Sequence, residues 1–221
     1  MRRIFISLPL IISCIIAEDN TLYLLHTNNT NGALENCYCP DHPFGAVEKR
    51  STFIKNFISE HPNTVVLDAG DFFPVTKRPF LDSLIIDAYA SLPYDAVLAG
   101  DQELSRENLG RYTKKLDYPT LAANLNNFDK LGLSDHIIFE RGGYTVGVIG
   151  TIHPSVFRFY PKEIIDRIEL ENPEETIRSF VYDYSDTLDI VIALTHQGHD
   201  KDAILAESIF GIDVIVGSHS Q

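Results

Sequence analysis

The sequence predicts an α/β fold built on a mixed β-sheet, and three observations support this prediction. Short apolar runs alternate along the chain with longer segments that carry apolar residues at helical spacing. Most of the short runs are rich in β-branched residues, as is typical of buried parallel strands. One pair of runs, 137–140 and 144–149, flanks Gly142-Gly143, which is a strong signal for an antiparallel hairpin.

The individual elements follow from local patterns. A helix is predicted over 47–58 because apolar residues such as Val47, Ile54 and Ile58 recur at helical spacing. Pro173 occupies a favourable first-turn position for a helix over 173–186. Further helices are predicted at 81–90, 107–116 and 202–209. The predicted strands are 22–25, 64–67, 96–99, 120–125, 137–140, 144–149, 190–194 and 214–216.

Composition limits the classes of function. The 221 residues are 44% hydrophobic, so one globular domain with a proper core is expected over 18–221. Lysine and arginine number 18 against 31 acidic residues, which gives a formal net charge of −13. This balance argues against a nucleic-acid surface, which needs a basic face. An acidic protein that acts on an anion needs local cations, and metal ions are the natural suppliers.

The first 17 residues are interpreted as a signal peptide. Two arginines precede an apolar run over 4–16 that is short for a membrane span. We therefore expect an exported protein, in the bacterial periplasm or anchored to the membrane. Cleavage after Ala17 is one outcome; the other is lipidation of Cys14, which follows a loose bacterial lipobox and would be the chain's only link to a membrane.

Five strand-end motifs suggest the chemistry. Apolar runs end in polar clusters rich in Asp, Asn, His and Gln, and ligand sites gather at the carboxyl ends of strands in α/β sheets. The motifs, in order, are HTNNTNG at 26–32, LDAGD at 67–71, LAGDQEL at 98–104, LTHQG at 194–198 and VGSHSQ at 216–221. Oxygen and imidazole ligands in such a series point to a metal site.

This series of motifs resembles the catalytic domain of the 5′-nucleotidase branch of the calcineurin-like metallophosphoesterases. The resemblance extends from Leu22 to Gln221. It implies a mixed β-sheet sandwich flanked by helices, and further strands beyond the last motif, so the last strands are expected to be missing here. It also implies hydrolysis of a small anionic phosphoester, with nucleotides as the model substrates, by a two-metal mechanism.

The resemblance assigns roles to residues one by one. Asp71 matches the bridging aspartate, and the other ligands of one metal match Asp101, His196 and His219. The remaining ligands of the other metal match Asn29, Asn31 and Gln221. Gln102 stands where the family has its catalytic histidine, and Ser105 where it has the aspartate partner of that histidine.

The departures from the family pattern predict an altered, weak centre. Asn29 and Asn31 replace an aspartate and a histidine, and a neutral amide oxygen is a weaker ligand than either. We therefore expect one good site for a divalent metal such as zinc or manganese, and one poor site. Gln102 cannot act as a general acid, so hydrolysis is expected to be slow.

Cys37 and Cys39 leave several interpretations open. Their C-x-C spacing allows a strained, redox-labile disulfide, metal ligation beside Asn29 and Asn31, or two free thiols. Accordingly, the alternatives to a hydrolase are a non-catalytic metal- or redox-binding module and an inactive, truncated remnant of a 5′-nucleotidase.

Overall fold

A computed structural model describes residues 21–35 and 46–220. The signal peptide predicted at 1–17 lies outside the described residues, together with Cys14, Cys37, Cys39 and Gln221.

The first sheet has four parallel strands in the order β1-β2-β3-β4. These strands are β1 (Tyr23–Thr27), β2 (Thr64–Asp68), β3 (Ala96–Leu98) and β4 (Thr120–Leu121). β2 is buried at every position, as is typical of a parallel strand covered on both faces.

The second sheet is mixed and has the order β5-β6-β7-β8. Its strands are β5 (His136–Arg141), β6 (Tyr144–Ile152), β7 (Ile190–His196) and β8 (Val214–Ser218). β5 and β6 form the predicted antiparallel hairpin around Gly142-Gly143, whereas β6, β7 and β8 pair in parallel. The prediction of an α/β fold with a mixed β-sheet sandwich is confirmed.

The two sheets face each other across an apolar core. The core side chains include Leu67, Leu98 and Leu121 from the first sheet and Val148 and Leu194 from the second. Removal of this apolar surface from water stabilises the sandwich by about 25 cal/mol per Å². Because both sheets direct strand ends to the same edge, the loops after β2, β3, β7 and β8 can meet there.

Helices cover the outer faces of the sandwich. They are α1 (Val47–Glu60), α2 (Pro79–Tyr89), α3 (Asp101–Leu104), α4 (Leu109–Thr113), α5 (Lys162–Ile165), α6 (Pro173–Tyr184) and α7 (His199–Ser208), with 3₁₀ helices at Phe128–Leu131 and Pro154–Phe157. Among the described residues, none of the helices combines the length and apolarity needed to cross a bilayer.

The structure differs from the sequence-based predictions at β4 and in the short helices. The strand predicted at 120–125 ends at Leu121, because Asn124 uses its side chain to bond the N–H and C=O of Ile152 and so leaves the strand ladder. The short helices α3 and α5 were not predicted, since one turn is too short to display helical periodicity.

Candidate metal centre

The carboxyl ends of β2, β3, β7 and β8 bring four potential metal ligands together. One ligand atom from each of the four side chains lies within 4.8 Å of the others. This group, here called the Asp/His cluster, consists of Asp71, Asp101, His196 and His219. Three members are buried, whereas the side chain of His219 is 37% exposed. The cluster therefore opens to solvent on the His219 side.

Glu103 holds Asp71 in place. Asp71 has a left-handed backbone conformation with φ of 60°, which costs on the order of 1–3 kcal/mol outside glycine. The buried carboxylate of Glu103 accepts the N–H groups of Asp71 at 2.8 Å and Phe73 at 2.7 Å. It also accepts the N–H of Gly100 at 2.9 Å, so it joins the loops after β2 and β3. Burial and the charge of Asp71 raise the pKa of Glu103 to about 8.

Two glycines allow these loops to approach. A Cβ at Gly100 would lie 2.4 Å from Asp71 Oδ1 and 3.0 Å from His196 Cε1. A Cβ at Gly70 would lie 2.8 Å from the Gly100 nitrogen, and Gly70 has φ of 90°. Any side chain at either position would therefore push the loops of the Asp/His cluster apart.

Asp101 connects the two imidazoles. Its Oδ1 lies 2.9 Å from His196 Nε2 and 3.3 Å from His219 Nδ1. His196 Nε2 also lies 3.4 Å from Oδ2 of Asp71. The ligand atoms thus face one common region at the edge of the sheets.

The pKa shifts reveal the electrostatics of this region. Burial disfavours the charged form of Asp101, but hydrogen bonds with His196, His219 and Tyr160 outweigh it and hold the pKa of Asp101 well below its usual range. Burial also opposes charge on His196. Its hydrogen bonds with Asp101 and Asp71 nevertheless raise the pKa of His196 to about 10. Both shifts indicate that the two carboxylates make this region favourable for positive charge.

The ring of His196 is oriented by partners outside the cluster. Its Nδ1 lies 3.0 Å from the carbonyl oxygen of Ala69 and 2.6 Å from Ser218 Oγ. These contacts leave Nε2 directed toward the carboxylates of the cluster. Metal-ligating histidines are commonly held in this way through their other ring nitrogen.

Tyr160 is a partner of the cluster that sequence reasoning missed. Its hydroxyl donates to Asp101 Oδ2 at 2.6 Å, and burial followed by this contact raises the pKa of Tyr160. Tyr160 lies 59 residues from Asp101 and belongs to none of the motifs, so no sequence signal marked it. Glu103 was also missed as a functional residue, although it lies within the LAGDQEL motif.

The second set of predicted ligands, Asn29 and Asn31, lies on the loop after β1. Both residues have left-handed backbones, with φ of 45° and 50°. Their N–H groups donate to the carbonyl oxygens of Gly70 and Asp71, which fixes this loop beside the Asp/His cluster. Asn31 Nδ2 donates to the Asn29 carbonyl at 2.8 Å, so Asn31 Oδ1 points away from that bond. Asn29 Oδ1 accepts long, 3.4 Å contacts from Ser218 and the His219 amide.

Gln102 contacts both the second set of predicted ligands and the Asp/His cluster. Its Nε2 donates to Asn31 Oδ1 at 2.7 Å and to Asp71 Oδ2 at 3.0 Å. Its backbone N–H donates to the other Asp71 oxygen at 3.1 Å. Gln102 Oε1 is buried and has no hydrogen-bond partner among the described residues. We call Asn29, Asn31 and Gln102 the amide cluster.

Ser105 does not contact the side-chain amide of Gln102. Its hydroxyl donates to the backbone carbonyl of Gln102 at 2.7 Å and accepts from Arg106 at 3.0 Å. Ser105 therefore stabilises the end of α3, and the structure brings no side-chain pair together at the two positions that correspond to the family's histidine and aspartate.

The donor sets differ in how well they suit a metal ion. Two carboxylates and two imidazoles are appropriate ligands for zinc, manganese or a similar divalent ion. The amide cluster, by contrast, directs the N–H groups of Gln102 toward the oxygens of Asn31 and Asp71 that would have to face a second ion. The Asp/His cluster therefore offers a donor set that fits a divalent ion.

Comparisons with known proteins identify the family of this chain. A family model described as calcineurin-like phosphoesterase matches residues 11–221. A snake venom 5′-nucleotidase from Naja atra is 29% identical and aligns with 90% of this chain and 41% of its own length. The 5′-nucleotidase of Homo sapiens is 27% identical, with 90% of this chain and 38% of its own length aligned.

A solved structure of another 5′-nucleotidase has the same fold. The crystal structure of a 5′-nucleotidase precursor from Thermus thermophilus superposes with a TM-score of 0.76 at 26% identity, over 90% of this chain and 41% of that one. The chain thus spans about two fifths of the length of the relatives it matches. Because the family model, the motifs and the fold agree, this chain belongs to the calcineurin-like phosphoesterase family.

Proposed function

We propose that this chain is the catalytic part of a metal-dependent hydrolase that acts on small anionic phosphoesters of the nucleotide type. The observation that carries the proposal is the convergence of two carboxylates and two imidazoles within 4.8 Å in the Asp/His cluster. Relatives named 5′-nucleotidases support this substrate class. Because the chain spans about two fifths of these relatives, the proposal concerns the phosphoester group and leaves the nucleoside unassigned.

The proposed ligands of one divalent ion are Asp71, Asp101, His196 and His219. When bound, a zinc or manganese ion would supply Lewis-acid stabilisation of the phosphoryl group and favour ionisation of water. The buried carboxylates of Asp71 and Asp101 would provide the negative charge that holds the ion. His219, the exposed member, lies on the side from which a substrate can approach.

The hydrolysis is proposed to be slow, because the chain offers no general acid where the family has one. Gln102 carries an amide, which neither gains nor loses a proton near neutral pH. Ser105 bonds the main chain of α3 and supplies no charge to Gln102. General acid–base assistance typically contributes about 10²- to 10⁴-fold, so its absence reduces the rate by this order.

A non-catalytic metal-binding module is the second candidate function. The hydrogen bonds of Gln102 to Asn31 and Asp71 favour it, since they give one oxygen of each of these residues a donor without a second ion. The redox form of this proposal depends on Cys37 and Cys39. A disulfide, metal ligation and free thiols all stay open for these two residues, which lie outside the described part of the chain.

We also propose that the protein is exported. The basic and apolar pattern of residues 1–17 supports a signal peptide, and a relative that occurs in snake venom is consistent with a secreted protein. Mass spectrometry of the mature protein separates the outcomes. Cleavage after Ala17 gives Glu18 as the first residue, lipidation leaves a modified Cys14, and an intact Met1 contradicts export by this signal.

The experiment that tests the hydrolase compares the manganese-loaded protein with its His196→Ala variant. Hydrolysis of AMP and of bis(p-nitrophenyl) phosphate would be followed before and after removal of the metal by a chelator. We expect metal-dependent turnover well below the roughly 10 s⁻¹ typical of enzymes. In the variant the activity should be lost, because His196 is a buried member of the Asp/His cluster.

His61→Ala serves as the matched histidine control. His61 precedes β2 and therefore lies at the amino end of the first sheet, opposite the site. The His61→Ala change should leave the turnover unchanged. Turnover that survives both chelation and the His196→Ala change would contradict the hydrolase proposal, and bound metal without any turnover would favour the binding module.

A further inference from the structure

We infer that the side-chain amide of Gln102 takes the place of the second metal ion, so that the wild-type chain binds one divalent ion and not two. This inference builds on the metal centre proposed above but concerns metal stoichiometry, which is measured separately from hydrolysis. It is an alternative to metal ligation by Cys37 and Cys39 at the same position.

The geometry of the amide provides the first argument. Gln102 Nε2 has two hydrogens, and the two oxygens that accept them, Asn31 Oδ1 and Asp71 Oδ2, lie 2.7 and 3.0 Å away. These are oxygens of residues that the family pattern would direct at the second ion. The donor capacity of the nitrogen is therefore fully used on the ligand atoms that a second ion would need.

Electrostatics provides the second argument. The N–H groups of an amide carry partial positive charge, so Gln102 compensates Asp71 Oδ2 without adding a full charge. A divalent ion between the same oxygens would face these N–H groups and be repelled by them. Asn31, unlike the histidine it replaces, adds only a neutral amide oxygen, which gives little to offset that repulsion.

The competing possibility is that the side-chain amide of Gln102 has the opposite orientation and that its oxygen is a metal ligand. Gln102 Oε1 has no hydrogen-bond partner among the described residues. Rotation of the amide by half a turn would bring Oε1 against the oxygens of Asn31 and Asp71. Three oxygens in contact repel one another unless a cation lies among them, in which case Gln102 would be a ligand. The two arrangements predict opposite effects when the side chain is removed.

The test is the number of metal ions per chain. Wild type, Gln102→Ala and Gln102→Glu would be loaded with Mn²⁺, counted by elemental analysis after gel filtration, and examined by electron paramagnetic resonance. We expect one ion per wild-type chain with an uncoupled Mn²⁺ spectrum. Both variants should bind two ions with an exchange-coupled spectrum. Gln102→Ala removes the N–H donors, and Gln102→Glu replaces them with a carboxylate.

Ser91→Ala is the control, because Ser91 is exposed just after α2 and its hydroxyl bonds the backbone carbonyl of Ala88. It should bind one ion, like the wild type. Two ions in the wild type and one in Gln102→Ala would overturn the inference and make Gln102 a ligand. Two ions in the wild type that fall to one in a Cys37→Ser/Cys39→Ser variant would overturn it in favour of the thiols. One ion in both Gln102 variants would also overturn it.

Discussion

The two halves of the site share a scaffold but differ in side-chain chemistry. The Asp/His cluster has two carboxylates and two imidazoles, whereas the amide cluster is neutral throughout. Both halves use left-handed backbone at non-glycine positions, with φ of 45° at Asn29, 60° at Asp71 and 80° at His219. The loops therefore have similar backbone requirements in both halves. The proposed difference in metal binding between the halves rests on the side chains that these loops present.

The hydrogen bonds within the Asp/His cluster also differ from those within the amide cluster. In the Asp/His cluster, carboxylate oxygens face imidazole nitrogens that also have partners outside the cluster, as at His196 and Ala69. In the amide cluster, the Nε2 of Gln102 satisfies the oxygens of its neighbours directly. The same nitrogen also donates to Asp71 Oδ2, so Gln102 bonds one carboxylate of the Asp/His cluster as well.

The largest expected effect comes from conversion of the amide cluster to the family pattern. The quadruple variant carries Asn29→Asp, Asn31→His, Gln102→His and Ser105→Asp. It should raise kcat for a nucleotide or a chromogenic phosphoester by about 10²- to 10⁴-fold, since it restores a general acid together with charged ligands. The same four changes combined with His196→Ala provide the control and should remain inactive. An unchanged rate in the quadruple variant would break the comparison, because the amide cluster would then not be what limits activity.

A smaller effect is expected at Glu103, which supports both halves through Asp71. Glu103→Ala leaves three buried N–H groups without their acceptor and should lower the free energy of unfolding by about 3 kcal/mol. Glu103→Gln retains one carbonyl oxygen and should cost less. Urea denaturation of the metal-free proteins measures both changes.

The control for Glu103 is Glu107→Ala. The side chain of Glu107 is 79% exposed, and its ion pair with Arg167 is 3.9 Å long. Its replacement should change the free energy of unfolding by no more than about 0.5 kcal/mol. Equal effects at Glu103 and Glu107 would contradict a positioning role for Glu103.

The smallest effect is expected at Tyr160, which contacts only the Asp/His half. Tyr160→Phe removes the 2.6 Å hydrogen bond to Asp101 Oδ2 and should weaken metal binding by about 10- to 100-fold, as is typical for partners of metal ligands. Titration calorimetry measures the affinity directly. Tyr182→Phe is the control, because Tyr182 is 82% exposed and should leave the affinity unchanged. An equal affinity in both variants would show that Tyr160 does not orient Asp101.

Most of the fold could be predicted from local patterns. The parallel strands, the hairpin at Gly142-Gly143 and the helix that begins at Pro173 all follow from periodicity and turn chemistry. The exceptions are elements that local pattern does not encode. β4 ends at Leu121 because the side chain of Asn124 bonds Ile152, and α3 is a single turn fixed by Glu103.

The sequence by itself determined which ligand types stand at the strand ends and in what order. Since parallel strands bring their carboxyl ends to one edge, that order predicted a metal site there. The resemblance to the family singled out Asp71, Asp101, His196 and His219, whose ligand atoms lie within 4.8 Å of one another. The sequence also determined that Gln102 lacks acid function, because this is a property of the residue type.

Only the tertiary structure decided where the Gln102 amide points and which residues support the cluster. The hydroxyl of Tyr160 reaches Asp101 from 59 residues away, and Gln102 reaches Asn31 from 71 residues away. Such contacts depend on how loops from different strands pack at the common edge of two sheets. Hydrogen bonds between residues so far apart in the chain leave no periodic or local signal, so side-chain geometry had to reveal them.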